Sequence, residues 1–421
     1  MAADSAWAVI LELATVVGMV VSFALLGRTL GPSGYGGYAS LYAVISPLVT
    51  LAASGVTLAL LEHAIRYDEP LDQTARSCMS LSLGLGAVLC GVGWLISSFV
   101  VESLTQVAII SILLTEFITI PLIYIAAGTV QSGANFAGAA RIRLAMVGTR
   151  LVVVISLFAL DTLTVASLGL THLVATAILA AFVLARVGHR FSFVFSPGRV
   201  HLRHLKTNLV YSSAISAFAV QNDGDKAVLA ANGYARDTGL YAAAYRIVLL
   251  GMVPVSALTQ VTHRRFLIRE DGVRGHHLRL AIRFGGSLAV YGLILAVGLI
   301  IAAPLLPLVI GSDFEESIQM VRWLSPLVLL RALSMFALNG LMGLGRTKLR
   351  TLLISIIAAI GMLLYLALIP SYGWKGAVAG TLASEVILVV VSWAALLLCQ
   401  RSADRQIESD TSELLPQGGN S

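Results

Sequence analysis

The 421-residue chain carries 28 Lys and Arg against 22 Asp and Glu, is 57% hydrophobic and only 12% charged, and has a mean hydropathy of +0.88. Soluble domains carry about 25% charged residues, so water is not the main solvent of this surface, and soluble enzymes and binding modules are excluded. The formal net charge of +6 then reads as loop charge and attraction to anionic lipid rather than nucleic-acid binding.

Apolar runs of about 20 residues recur from Ala6 to Cys399, each long enough to cross a hydrocarbon core as a helix. The runs are continuous rather than alternating, which rules out a β-barrel. The expected fold class is an all-α integral membrane protein with about twelve transmembrane helices. In chain order the spans are 6–26, 36–60, 77–100, 106–130, 144–160 and 164–185, then, after a polar connector, 209–231, 239–262, 280–304, 319–344, 351–370 and 377–399. The first run is not a cleaved signal, because no Lys or Arg precedes it and it outlasts a typical signal core. Four domains follow: an N-terminal six-helix half (1–186), a cytoplasmic basic connector (187–208), a C-terminal six-helix half (209–399) and a disordered cytoplasmic tail (400–421).

Lys and Arg crowd the loops of one side, among them Arg76, Arg141, Arg190, Arg203, Arg279 and Arg346, while the other side holds only Arg28, Arg236, Arg322 and Lys375. The basic side is assigned to the cytoplasm, with both termini there. Gly36-Gly37-Tyr38-Ala39-Ser40-Leu41-Tyr42 opens the second helix and Gly239-Leu240-Tyr241-Ala242-Ala243-Ala244-Tyr245 opens the eighth. A second pairing sets 128–133 against 340–345. Two six-helix halves of like orientation imply a pseudo-twofold and a pathway between the halves, which is transporter architecture.

None of the four lysines follows a glycine, so a P-loop is absent and ATP hydrolysis is excluded. Cys78, Cys90 and Cys399 lie in or at the ends of apolar runs without metal-binding spacing and read as buried free thiols. Of the eight histidines only His172 falls in an expected span, no zinc motif is present, and His201, His204, His276 and His277 read as a solvated inner surface. No metal and no cofactor are expected. No catalytic residues are expected either, so the chain is not read as an enzyme.

Ionisable groups inside helices cost about 2.5–3.5 kcal/mol each at the bilayer centre and mark function or pairing. The densest set is Gln221-Asn222-Asp223-Gly224-Asp225-Lys226, followed by Tyr241, Tyr245 and Arg246, where an Asp225–Arg246 bridge would dock two helices. Arg150, Arg331, Glu12, Glu116 and Glu385 are the other buried charges, with Arg28 at an outer helix end. Tyr35, Tyr38, Tyr42, Trp94, Tyr124 and Trp374 read as an interfacial aromatic belt.

The stretch Arg28-Thr29-Leu30-Gly31-Pro32-Ser33-Gly34-Tyr35-Gly36-Gly37-Tyr38, Asp225-Lys226 with the segment Gly239 to Arg246, and Tyr372-Gly373-Trp374-Lys375-Gly376-Ala377 together resemble the Wzx-type polysaccharide biosynthesis and export flippases of the multidrug/oligosaccharidyl-lipid/polysaccharide exporter superfamily. The resemblance implies two pseudo-symmetric six-helix bundles around a central cavity, as in the multidrug and toxin extrusion (MATE) transporters. It also implies a chain in the bacterial inner membrane that moves undecaprenyl-pyrophosphate-linked oligosaccharide (O-antigen precursors and the like) to the outer leaflet by alternating access. Arg28, Arg150, Lys226, Arg246 and Arg331 are the expected cavity cations for the anionic headgroup, and Glu12, Glu116 and Asp225 the candidate ion-coupling sites. Expected partners are membrane lipid, the lipid-linked glycan and polysaccharide assembly enzymes, with a monomer favoured. A multidrug or small-molecule antiporter is the alternative, and a membrane polymerase or ligase a lesser one.

Overall fold

The computed structural model describes residues 2–101, 103–255 and 276–414, and among these the chain is a succession of helices without strands. In order they are α1 (Ala2–Ala52), α2 (Ser54–Ile65), α3 (Leu71–Val100), α4 (Gln106–Leu114), α5 (Ile120–Ser132), α6 (Phe136–Ala159), α7 (Val165–Phe191), α8 (Leu202–Ala231) and α9 (Ala235–Leu250). Then come α10 (His276–Ala302), the short α11 (Leu306–Ile310), α12 (Ser317–Leu324), α13 (Pro326–Gly343), α14 (Thr347–Tyr372) and α15 (Trp374–Leu414). A π turn over Thr115–Thr119 joins α4 to α5.

Ten stretches of the described residues are long and apolar enough to cross a membrane. The first, Ile10–Ile65, is 56 residues, about twice what one crossing needs. Gly31 breaks it with φ 62° and ψ 179°, a conformation that glycine alone adopts cheaply, and Pro32 follows. The broken stretch therefore supplies two crossings, and α8, long enough at 30 residues but too polar to be among the ten, supplies another. Counted in this way, the described residues reach the number expected, with α8 outside the ten apolar stretches.

Helices outrun the apolar runs that announced them. The connector expected over 187–208 narrows to 192–201, because α7 continues through Phe191 and α8 begins at Leu202. The tail expected to be disordered from residue 400 is helical as far as Leu414. Its Arg, Gln, Glu, Ala and Leu content suits a helix, and no Gly or Pro interrupts it before Pro416. Most of the basic loop around His263 lies outside the described residues.

The chain forms two compact units. The first comprises 1–243, 305–316 and 369–377, and the second 244–304, 317–368 and 378–421. This differs from a division at the connector, since α8 packs along α1 and α2 and so joins the helices before it. The first unit is held by Val56, Leu60, Cys78 and Ile125 on one side and by Val130, Ala139, Val183 and Val187 on another. The second has its core around Phe336, Ala337 and Leu341 of α13, with Ala281 and Leu288 of α10, Ile357 of α14 and Leu396 of α15.

Within the first unit, the glycines that open the two matching sequence segments lie against each other. A Cβ on Gly36 would fall 2.0 Å from the Ala235 carbonyl oxygen and 2.9 Å from the Gly239 nitrogen. One on Gly239 would fall 1.8 Å from the Pro32 carbonyl oxygen and 2.9 Å from the Gly36 nitrogen. Each glycine thus meets the other's helix at the carbonyl four residues before its counterpart. The reciprocity is that of a local twofold, and the close approach is the means by which small residues bind helices in lipid.

Candidate functional site

Beyond the Gly31 break, α1 places Tyr38, Tyr42, Ser46 and Thr50 at successive i, i+4 positions, so they share one face. In a chain this apolar, four polar side chains in register form a stripe, and each of the four is engaged. Over twelve residues the stripe spans about 18 Å of helix.

At its Tyr38 end the stripe meets α6. Tyr38 Oη accepts a hydrogen bond from the Arg150 guanidinium, and the Arg150 Cζ lies 5.5 Å from the Tyr42 ring centroid. Tyr42 Oη donates to Glu116 Oε1 at 2.8 Å, and Glu116 sits in the π turn, where the extra residue per turn re-aims side chains. His172 of α7 is buried, lies within electrostatic reach of Arg150, and its Nε2 has no hydrogen-bond partner among the described residues. A guanidinium bonded to one phenol and set over the ring of another, with a carboxylate close by, is the kind of compensation a cation needs in a low-dielectric setting.

The other end of the stripe meets α8. Ser46 Oγ donates to Asp223 Oδ2 at 2.8 Å, and the Thr50 and Ser216 hydroxyls are 2.5 Å apart. Lys226 Nζ donates to Asp223 Oδ1 and Asp225 Oδ1, both at 3.2 Å, and to the Asn222 carbonyl. Asp225 is fully buried and accepts from Tyr241 Oη at 2.6 Å. Asp223, with 32% of its side chain exposed, is the accessible member. The expected grouping of Asp225 and Lys226 is therefore present, and Tyr241 holds it against α9. Arg246 belongs to the second compact unit.

In the second unit Arg331 of α13 is buried. Its Nε donates to Glu385 Oε1 of α15 at 2.8 Å, and its Nη2 donates to Tyr245 Oη at 2.6 Å. The Tyr245 ring also receives the guanidinium face, 5.5 Å from centroid. Two other expected site residues stand apart. Arg28 is exposed and donates through Nε and Nη2 to the Val309 and Leu308 carbonyls, both at 2.7 Å, which fastens α1 to the short α11. Glu12 is exposed on α1 beside Leu13, not grouped with Glu116.

Residues 25–319 match the sequence pattern of a family described as polysaccharide biosynthesis protein, more than two thirds of the chain. The chain belongs to this polysaccharide biosynthesis family. No curated protein matches it. Among solved structures it is similar to an inward-facing multidrug resistance MATE family transporter of the MOP superfamily, with TM-score 0.73 and 15% identity over 93% of this chain and 99% of that one. An outward-facing MATE family transporter of the MOP superfamily aligns with TM-score 0.63 and 16% identity over 97% of each chain. A MOP superfamily transporter from Pyrococcus furiosus Vc1, titled for the reverse polarity of its binding pocket, aligns with TM-score 0.61 and 14% identity over 94% of this chain and 97% of that. The expected MATE-like fold is thereby established for this member of the polysaccharide biosynthesis family.

Two expectations about side chains are corrected by this geometry. Tyr35 and Tyr38 are buried, and Tyr42 is bonded to Glu116, so these three are not an interfacial belt. His204 is fully buried rather than solvated, because α8 begins early enough to carry it into the packing. His172 was visible as the one histidine in a span, and the i, i+4 recurrence of Tyr38, Tyr42, Ser46 and Thr50 was the signal for the stripe.

Proposed function

We propose that this member of the polysaccharide biosynthesis family carries an undecaprenyl-pyrophosphate-linked oligosaccharide across the bacterial inner membrane, from inner to outer leaflet, by alternating access. The observation that carries the reading is the polar stripe of α1. It lines about 18 Å of membrane depth with hydroxyls, a guanidinium and a lysine, in a chain whose family is that of polysaccharide biosynthesis. A pyrophosphate with attached sugars needs cations and hydroxyl partners along its route, while its polyprenyl tail stays in lipid. Arg150 and Lys226 meet the phosphates in this reading, Tyr38, Tyr42, Ser46 and Asp223 meet sugar hydroxyls, and Glu116 and Asp225 are the candidate proton or sodium sites. Arg331 serves the same purpose in the second unit. The driving force is an ion gradient, the membrane potential or removal of product at the outer face.

The test is an export assay in cells whose only copy is the variant, reading lipid-linked glycan at the outer surface with a membrane-impermeant label. Arg150→Ala and Asp223→Asn are expected to lower the signal, normalised to the amount of folded and inserted protein, more than about tenfold. Full export by a folded Arg150→Ala/Asp223→Asn protein would overturn the role of the stripe. Extrusion of small cationic drugs with no glycan signal would replace the substrate.

A further inference from the structure

Away from the stripe, at the end of the first unit that carries the basic loops, two imidazoles and a carboxylate converge. His63 stands in the last turn of α2, Glu69 in the loop before α3, and His204 in the first turn of α8. His63 Nδ1 is 2.8 Å from Glu69 Oε1, and His204 Nε2 is 3.0 Å from Glu69 Oε2. One ligand atom from each residue falls within 4.8 Å of the other two. Both histidines are buried, with 4% and 0% exposure, and their rings meet edge to face at 4.4 Å. The loop is fixed as well, since the Glu69 backbone N–H donates to the His63 carbonyl at 3.1 Å.

We propose that His63 Nδ1, Glu69 and His204 Nε2 bind one divalent cation of the zinc class, and so clip the α2–α3 loop to the start of α8. Two imidazole nitrogens and a carboxylate are a ligand set suited to a borderline cation, and three protein ligands leave a fourth position for water. The far nitrogen of each ring is already held. His63 Nε2 lies 3.1 Å from Thr207 Oγ1, and His204 Nδ1 lies 2.8 Å from Ser77 Oγ. A hydroxyl both donates and accepts. Each ring can therefore keep its N–H toward the hydroxyl and turn its lone pair to the metal, the outer-shell arrangement that orients ligating histidines.

The competing charge is Arg203, whose Nη2 is 3.1 Å from Glu69 Oε2 and whose side chain is 58% exposed. It can swing into water at little cost, because exposed ion pairs are worth only about 0.2–1 kcal/mol. Other neighbours are the ring of His201, 5.4 Å from His204, the ring of Tyr67, 5.1 Å from His63, and the buried Cys78 thiol, which lies within electrostatic reach of Glu69. Arg66 points outward to Glu62. A transporter mechanism in the stripe does not require this site, and the site does not require the stripe.

Purified full-length protein, stripped with a chelator, is titrated with Zn²⁺ by calorimetry and with Co²⁺ by visible absorption. One equivalent is expected to bind, with ligand-field bands of a four-coordinate N/O site and a rise in thermal midpoint. His63→Gln and His204→Gln are each expected to weaken binding more than about 100-fold, and Ser77→Ala about tenfold. Arg203→Gln leaves all three ligands in place and changes an exposed side chain, so it reads the site even if a ligand variant fails to fold. It should tighten binding about two- to fivefold. Absence of binding by the native chain overturns the proposal and leaves a hydrogen-bonded cluster. So does stoichiometric binding that is unchanged in the His63→Gln/His204→Gln protein or insensitive to Arg203→Gln.

Discussion

Arg331 and Glu385 show what a charge inside a helical bundle demands. Both are buried, at 7% and 2% exposure, so removing either takes a charge-assisted hydrogen bond from a charge that water barely reaches. Arg331→Leu or Glu385→Leu is therefore expected to cost about 3–5 kcal/mol of stability, whereas the double substitution should recover most of the loss. A double-mutant cycle on the purified protein, followed by denaturant unfolding in detergent, measures this. Equal and additive losses would contradict it. Arg28 is the contrasting case. It is exposed and, among the described residues, bonds to main-chain carbonyls, so Arg28→Lys, which loses the fork geometry, should cost no more than about 1–2 kcal/mol by the same measurement.

At the scale of elements, the glycine contact is the least forgiving joint described. A methyl group at Gly36 or Gly239 would overlap main-chain atoms of the facing helix, and backbone cannot step aside as a flexible side chain can. Gly36→Ala and Gly239→Ala should each lower the thermal midpoint or yield sharply. Gly31→Ala meets nothing within 4 Å, but φ 62° with ψ 179° is open to glycine almost alone, so it should cost about 1–3 kcal/mol of backbone strain without a clash. Thermal shift in detergent separates the three.

These elements also show where the sequence spoke and where it was silent. The apolar runs gave the helices because length and composition act locally, and the ordered set of Arg28 to Tyr38, Asp225-Lys226 with Gly239 to Arg246, and Tyr372 to Ala377 gave the family. Asp225, Lys226, Glu116 and Arg150 were legible as charges in apolar surroundings. The tyrosines that meet Glu116 and Arg150 were not, since a tyrosine near a helix end looks the same whether it faces headgroups or a guanidinium. His63 and His204 are 141 positions apart by number and were invisible as a pair. Only the packing of α2 against α8 brings them together. The compact units likewise follow that packing rather than the longest polar break in the chain.

For the molecule as a whole, the asymmetry of Lys and Arg predicts that the connector around Ser192 faces the cytoplasm and the loops at Asp161 and Asn232 face outward. In a chain freed of Cys78, Cys90 and Cys399, Asp161→Cys and Asn232→Cys should react with an impermeant thiol reagent on intact cells. Ser192→Cys should react only after the membrane is opened. Reversal of that pattern would invert the orientation and with it the proposed direction of transport.

The polarity of α8 has a consequence for how the protein is made. Asn222, Asp223, Asp225 and Lys226 sit within a few residues of one another in the last turns of α8, and charges inside a spanning helix are costly to place in lipid until they are paired. A helix so loaded does not partition into lipid by itself during synthesis. It needs the α1 face carrying Ser46 and Thr50, completed more than 150 residues earlier, to be waiting beside the insertion channel. Biogenesis is thus obliged to hold the first helices close until α8 emerges, and the same side chains proposed to pass a sugar headgroup double as the receipt for that late arrival.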